Sequence, residues 1–203
     1  MEGTKMKRVL LFVAAAAMIF AAGTAQAAKK LPPKVIVGFE TDQEFKDIYK
    51  ENNGNRDYPV EKVTENVTQG KFACKLTFPN DGDWPGLHFV KFDGNWEGYD
   101  VLKVDVFNPS TEIVALNMSL CDKDSGITKE AYFGEYNKRY NASAILKPGK
   151  NTVEFELGGV TVEDKSRQIK LGDVKRFALF VSSRPKDFTI FLDNVRVEQS
   201  EEQ

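Results

Sequence analysis

The side chains best suited to chemistry in this chain are aromatic rings and neutral hydrogen-bonding groups. Residues 131–141 read Ala-Tyr-Phe-Gly-Glu-Tyr-Asn-Lys-Arg-Tyr-Asn, which brings Tyr132, Tyr136, Arg139 and Asn141 into one short stretch. Trp84 stands apart, in the turn-forming run Asn80-Asp81-Gly82-Asp83-Trp84-Pro85-Gly86. A tryptophan on such a loop has little packing reason to be there, which makes it a ligand candidate. The alternative is a loop residue folded back over a sheet edge. Flat aromatic faces suit the apolar side of a pyranose, and Arg and Asn supply directed hydrogen bonds for its hydroxyls. Arg139 is either such a donor or the structural partner of a carboxylate. Trp96 precedes Gly98-Tyr99-Asp100 and a strand.

Signatures of catalysis are missing. The sequence has no G-x-S-x-G, no glycine-rich phosphate loop and no pair of histidines for a metal. His88 is the single histidine and sits in the apolar run Leu87-His88-Phe89-Val90, where a satisfied polar residue is expected rather than a catalyst. Thirty acidic residues always yield carboxylate pairs somewhere, and nothing singles one out as a glycosidase pair. The chain reads as a non-enzyme.

These groups must be positioned by strands. Leu102–Phe107 runs into Asn108-Pro109, the chain restarts at Val114–Leu120, and Asn151–Leu157 follows the turn Lys147-Pro148-Gly149-Lys150. Apolar and polar positions alternating over five to eight residues, broken by Asn-Pro and Pro-Gly, are half-buried antiparallel strands. About ten are expected, near 35–40, 59–65, 71–78, 86–92, 100–107, 113–121, 130–145 (interrupted), 151–157, 174–181 and 188–198. Thr41-Asp42-Gln43-Glu44 has capping-box spacing, and Phe45, Ile48 and Tyr49 follow at helical intervals, so one short helix or wound loop is expected there. In the 130–145 region, the parity of Leu146, Ala144 and Ala142 turns Tyr140 to the core and Arg139, Asn141 and Ser143 to the other face. Parity also separates the two cysteines. Cys74 alternates with Phe72 and Leu76 on the core side, and Cys121 alternates with Asn117 and Ser119 on the opposite one, which argues against a disulfide.

The N-terminus indicates export. Lys5, Lys7 and Arg8 precede an apolar run from Val9 to Ala22 and then Ala25-Gln26-Ala27, the layout of a cleavable signal peptide over 1–27. An uncleaved anchor is the rival, although the run is short for a span, which needs about 20 apolar residues. Cleavage shifts the formal net charge from -2 to -4 and leaves 176 residues, suited to one domain. An acidic balance with scattered lysines excludes nucleic acid as a partner. Residues 28–34 form an extended leader, 35–198 the folded domain, and 199–203 a disordered tail.

The ordered set Val37-Gly38-Phe39-Glu40, Gln69-Gly70-Lys71-Phe72-Ala73-Cys74-Lys75-Leu76, Trp96-Glu97-Gly98-Tyr99-Asp100 and Leu192-Asp193-Asn194-Val195 resembles the galactose-binding-domain-like jelly roll of carbohydrate-binding modules attached to secreted glycoside hydrolases. The likeness spans residues 35–198. It implies an all-β fold, a β-sandwich of two antiparallel sheets, and a non-catalytic function. It also implies that Trp96 packs on the core rim. The fold hosts sugar binders, protein binders and structural domains alike. The jelly-roll domain of complex I assembly factors is also similar, but an export signal does not fit that role.

The resemblance further implies a structural calcium ion where the first strand meets the last. The matching ligands are the Gly38 and Lys71 carbonyls with the Glu40 and Asp193 carboxylates, and calcium takes six to eight hard oxygens of these kinds. The alternative is that Glu40 and Asp193 are strand-end residues capping loops. Together these readings point to a secreted or periplasmic monomer that binds a carbohydrate or glycan through Trp84, Tyr132, Tyr136, Arg139 and Asn141. A structural domain using the same surface for a protein partner is the alternative.

Overall fold

The computed structural model describes residues 30–51, 58–80, 83–128, 134–182 and 186–200. Eleven strands are present among them: β1 (Lys34–Val37), β2 (Ile48–Glu51), β3 (Val60–Val63), β4 (Ala73–Phe78), β5 (Gly86–Phe89), β6 (Val101–Asn108), β7 (Val114–Asp122), β8 (Tyr140–Leu146), β9 (Gly149–Glu156), β10 (Val174–Phe180) and β11 (Phe188–Glu198). One sheet runs β3-β4-β11-β6-β9 with β1 paired to β11, and the other runs β2-β5-β10-β7-β8. Every pairing is antiparallel. This is the β-sandwich jelly roll that the strand pattern and the resemblance imply.

Alternation builds the core between the two sheets. Leu102, Val104 and Val106 of β6 meet Leu116, Met118 and Leu120 of β7 in one buried cluster with Phe177 and Leu179 of β10. The even spacing leaves Asn117, Ser119 and Cys121 for the outer face of β7. On β11 the register slips between Asp193 and Arg196, and Asn194 takes φ 48. The bulge moves the core positions from Ile190 and Leu192 to Val195 and Val197, so the strand stays half-buried along its whole length. Beyond the bulge β11 takes β1 as its neighbour, with Lys34 opposite Val197; before it, β4 is the neighbour, with Leu76 opposite Ile190.

The capping box forms as its spacing predicts. Thr41 Oγ1 accepts from the Glu44 amide at 3.2 Å, and the Glu44 carboxylate accepts from the Thr41 amide at 2.8 Å, opening the helix α1 (Asp42–Asp47). The helix then stops earlier than the Phe45–Ile48–Tyr49 spacing suggests. Ile48–Glu51 is β2, which pairs with β5 at the sheet edge, Tyr49 opposite His88. Ladder hydrogen bonds available at the edge of β5 outweigh continuation of a six-residue helix, whose isolated stability is marginal.

Cys74 lies in the core and Cys121 under the outer face, and no disulfide joins them, in line with strand parity. Trp96 is fully buried with Phe92 and Phe177, centroids 5.5 and 5.6 Å away. It packs deeper than the core rim and takes no part in a surface site.

Candidate functional site

The outer face of the five-stranded sheet carries the site. Register places side chains in rows across it. Tyr49, His88, Ala178, Ser119 and Asn141 form one row, and Gly86, Phe180, Asn117 and Ser143 form the next. These rows floor a groove of about 530 Å³, walled by Trp84 at one end and by Tyr136 and Arg139 at the other. A groove of this size falls within the range of small-ligand sites.

Trp84 is half exposed, at 49 %. Its backbone takes φ 145, a region bulky residues rarely enter, and such outliers cluster at functional positions. The indole meets Phe180 edge-on, centroids 5.9 Å apart at 79°. That contact depends on Gly86, because a methyl there would stand 2.5 Å from Phe180 Cβ and 2.9 Å from the Leu179 carbonyl oxygen. Trp84 therefore belongs at once to the loop and to the groove, and the loop-fold-back alternative accounts only for its inner edge.

The opposite wall is a turn of 3₁₀ helix over 136–138 followed by Arg139. The Arg139 guanidinium carbon lies 5.0 Å from the centre of the Tyr136 ring, and Tyr136 remains 61 % exposed. Among the described residues no carboxylate pairs with Arg139. Its Nε is buried without a hydrogen-bond partner. Asn141 donates Nδ2 to Glu163 Oε1 at 3.0 Å, while its buried Oδ1 has no partner. Tyr132 lies outside the described residues.

A buried network holds this wall. Asp122, fully buried, accepts from Arg167 Nη1 at 2.6 Å and Nη2 at 2.8 Å, from the Lys170 amide at 2.8 Å and from Ser125 Oγ at 3.0 Å. Burial alone would raise the Asp122 carboxyl, but Arg167, the Lys170 amide and Ser125 together hold it below the ordinary range. Arg167 Nη2 also donates to the Lys138 carbonyl at 3.1 Å. The amides of Glu163 and Asp164 donate to the carbonyls of Arg139 and Asn137. Gly134, at φ 72, lets the segment cross Cys121, since a methyl would press the Ser125 carbonyl at 2.9 Å and Cys121 Sγ at 3.1 Å. Burial pushes the Cys121 thiol up to about 11, against the opposing pull of Arg139 and Arg176, so it is not a nucleophile.

The structure thus brings Trp84, Tyr136, Arg139 and Asn141 to one groove. Sequence parity puts Ser143 on the face with Arg139 and Asn141 but misses the rest of the floor. His88, Asn117, Ser119 and Phe180 are contributed by three further strands. The signal was present in the polar parity of Asn117 and Ser119, but which strands neighbour β7 is a property of the topology.

The positions matched to calcium have a different local chemistry. Glu40 Oε1 accepts from the amides of Lys71 at 2.9 Å and Phe72 at 3.1 Å. Asp193 Oδ2 accepts from the amides of Thr68 at 2.6 Å and Gln69 at 2.9 Å, and Oδ1 from the Asn194 amide at 2.7 Å. These hydrogen bonds cap the 68–72 turn onto the first and last strands, as the strand-end alternative expects. A calcium ion would need the same carboxylates together with the Gly38 and Lys71 carbonyls.

No protein-family model matches the chain, and no curated protein matches it. Solved structures do. A family 11 carbohydrate-binding module from Clostridium thermocellum, in complex with a β-1,3-1,4-mixed-linked tetrasaccharide, aligns at TM-score 0.61 and 12% identity over 84% of this chain and 98% of that one. A solution structure of CtCBM11 aligns at 0.61 and 13% over 88% and 99%. An exo-β-agarase aligns at 0.62 and 16% over 84% of this chain but 26% of its own. At these identities the likeness shows a shared fold.

Proposed function

We propose that this chain is an exported, non-catalytic carbohydrate-binding domain that holds a polysaccharide or glycan segment across its five-stranded sheet. The observation that carries the reading is the groove between Trp84 and Tyr136. Two exposed aromatic side chains face a floor of amides, hydroxyls and one imidazole, which is the combination that stacks on sugar faces and bonds their hydroxyls. Solved neighbours of the fold include a module in complex with a β-1,3-1,4-mixed-linked tetrasaccharide, which supports a carbohydrate ligand. The leader over 1–27 directs the domain out of the cytoplasm, to the periplasm or beyond. No helix among the described residues is long and apolar enough to cross a membrane.

Binding rather than turnover follows from the groove's chemistry. Among the described residues the lining holds amides, hydroxyls, rings and one guanidinium and no carboxylate, which supports binding over acid–base hydrolysis. A glycan array spanning plant, microbial and host structures, probed with the purified protein, tests the reading. Retention on a polysaccharide class with no release of reducing ends is the expected result. Silence across the array would transfer the groove to a protein partner.

A further inference from the structure

The charge of the groove narrows the ligand class, and this step rests on the carbohydrate reading. Among the described residues Arg139 is the one lining side chain with a permanent charge, and no lining carboxylate opposes it. A neutral glycan site gains from carboxylates, which accept from two adjacent hydroxyls; this groove has none among the described residues. Glu163, the hydrogen-bond partner of Asn141, is not among the lining side chains. The guanidinium is held ready rather than used up. It lies over the Tyr136 ring, its Nε is buried without a partner, and no ion pair engages it among the described residues. Arg176, 3 % exposed on the same face of β10, adds a second guanidinium near that end of the floor, both acting on the Cys121 thiol. Arg139, with no counter-charge among the described residues and a buried Nε without an acceptor, is a fork shaped for carboxylate or sulfate oxygens.

We infer that the groove binds an anionic polysaccharide, with Arg139 receiving a carboxylate or sulfate ester on the sugar while Trp84 and Tyr136 stack on the rings. A lost charge-assisted hydrogen bond is worth about tenfold or more in affinity.

Affinity electrophoresis with matched polymer pairs tests this. Polygalacturonate is compared with its methyl-esterified form, and a sulfated galactan with agarose. Mixed-linkage β-glucan serves as a further neutral polymer and polyglutamate as a non-sugar polyanion. The expected result is affinity at least about tenfold higher for the charged member of one pair, weakening with added salt, and no retention on polyglutamate. The pair that discriminates tells carboxylate from sulfate. Arg139→Gln should abolish the preference and Arg139→Lys should keep part of it, at unchanged melting midpoint. Equal binding to charged and neutral members, binding to neutral polymers alone, or equal retention on polyglutamate overturns the inference while the wild-type comparison stands without any variant. Binding to neutral glycans in that case leaves the carbohydrate reading intact; retention on none of the sugars removes both.

Discussion

Arg167 places both terminal nitrogens on the two oxygens of Asp122, 2.6 and 2.8 Å away, in a bidentate pair whose carboxylate is wholly out of solvent. The pair joins the end of β7 to the 160–170 loop, and through the Lys138 carbonyl it fixes the turn that carries Tyr136 and Arg139. Leaving the buried Asp122 charge unpaired, as in Arg167→Leu, should cost about 3–5 kcal/mol. Glycan affinity should fall with it, although neither residue lines the groove. Denaturant melts and binding isotherms on the same variant check this. Wild-type stability with lost binding would place Arg167 in the site itself.

Acid should unfold the domain through its buried carboxylates. Asp122 is held low as described. For Asp105 burial pushes upward, but Thr152, Asn194, Arg196 and Thr68 together prevail and lower it. A depressed folded value stabilises the native state above the unfolded carboxylate value of about 3.9 and loses that contribution as pH falls through the folded value. The melting midpoint should therefore hold down to about pH 5 and decline below about pH 4. A decline completed above pH 5 would contradict this assignment.

Chelation separates the two accounts of Glu40 and Asp193. The hydrogen-bonded turn at 68–72 needs no ion, so EDTA should leave the thermal midpoint unchanged, and no calcium should copurify. Asp193→Ala should still destabilise, by about 1–2 kcal/mol, since three part-buried backbone amides lose their acceptor while the Thr68 hydroxyl keeps Asp105 Oδ2. A midpoint that drops with chelator and recovers with calcium would restore the metal site.

Legibility tracked the range of the interactions. Strand parity is local, so the faces of Cys74, Cys121, Tyr140, Arg139 and Asn141 were all readable before the fold. The capping box at Thr41 and Glu44 is equally local and formed as written. β2 was not readable, because Phe45, Ile48 and Tyr49 also fit a helix and the deciding partner, β5, lies some forty residues further on. Most of the groove floor was hidden for the same reason. His88 reaches Asn141 only through β10 and β7, an order fixed by packing. Glu40 and Asp193 were legible as a motif, while the amides of residues 68–72 that donate to them come from a turn distant in sequence from both.

The two tryptophans should behave as opposites. Trp84→Ala removes a half-exposed ring and should cost affinity several-fold to about tenfold, the range of one aromatic contact, with little loss of stability. Trp96→Ala empties a core position and should cost about 3–5 kcal/mol of stability. Paired melting and binding curves check both. Unaltered glycan affinity in Trp84→Ala would return that residue to the sheet-edge role.

A glycan should sit on the outer face of the five-stranded sheet. An NMR titration of isotopically labelled protein with an oligosaccharide from the best array ligand tests it most directly. The expected shifts concentrate on the Trp84 indole, the side chains of Asn117 and Asn141, and Arg139 Nε, while Thr77, Thr189 and Phe191 on the other sheet stay still. Shifts gathered on that second sheet, or none at saturating concentrations of any glycan, would contradict it.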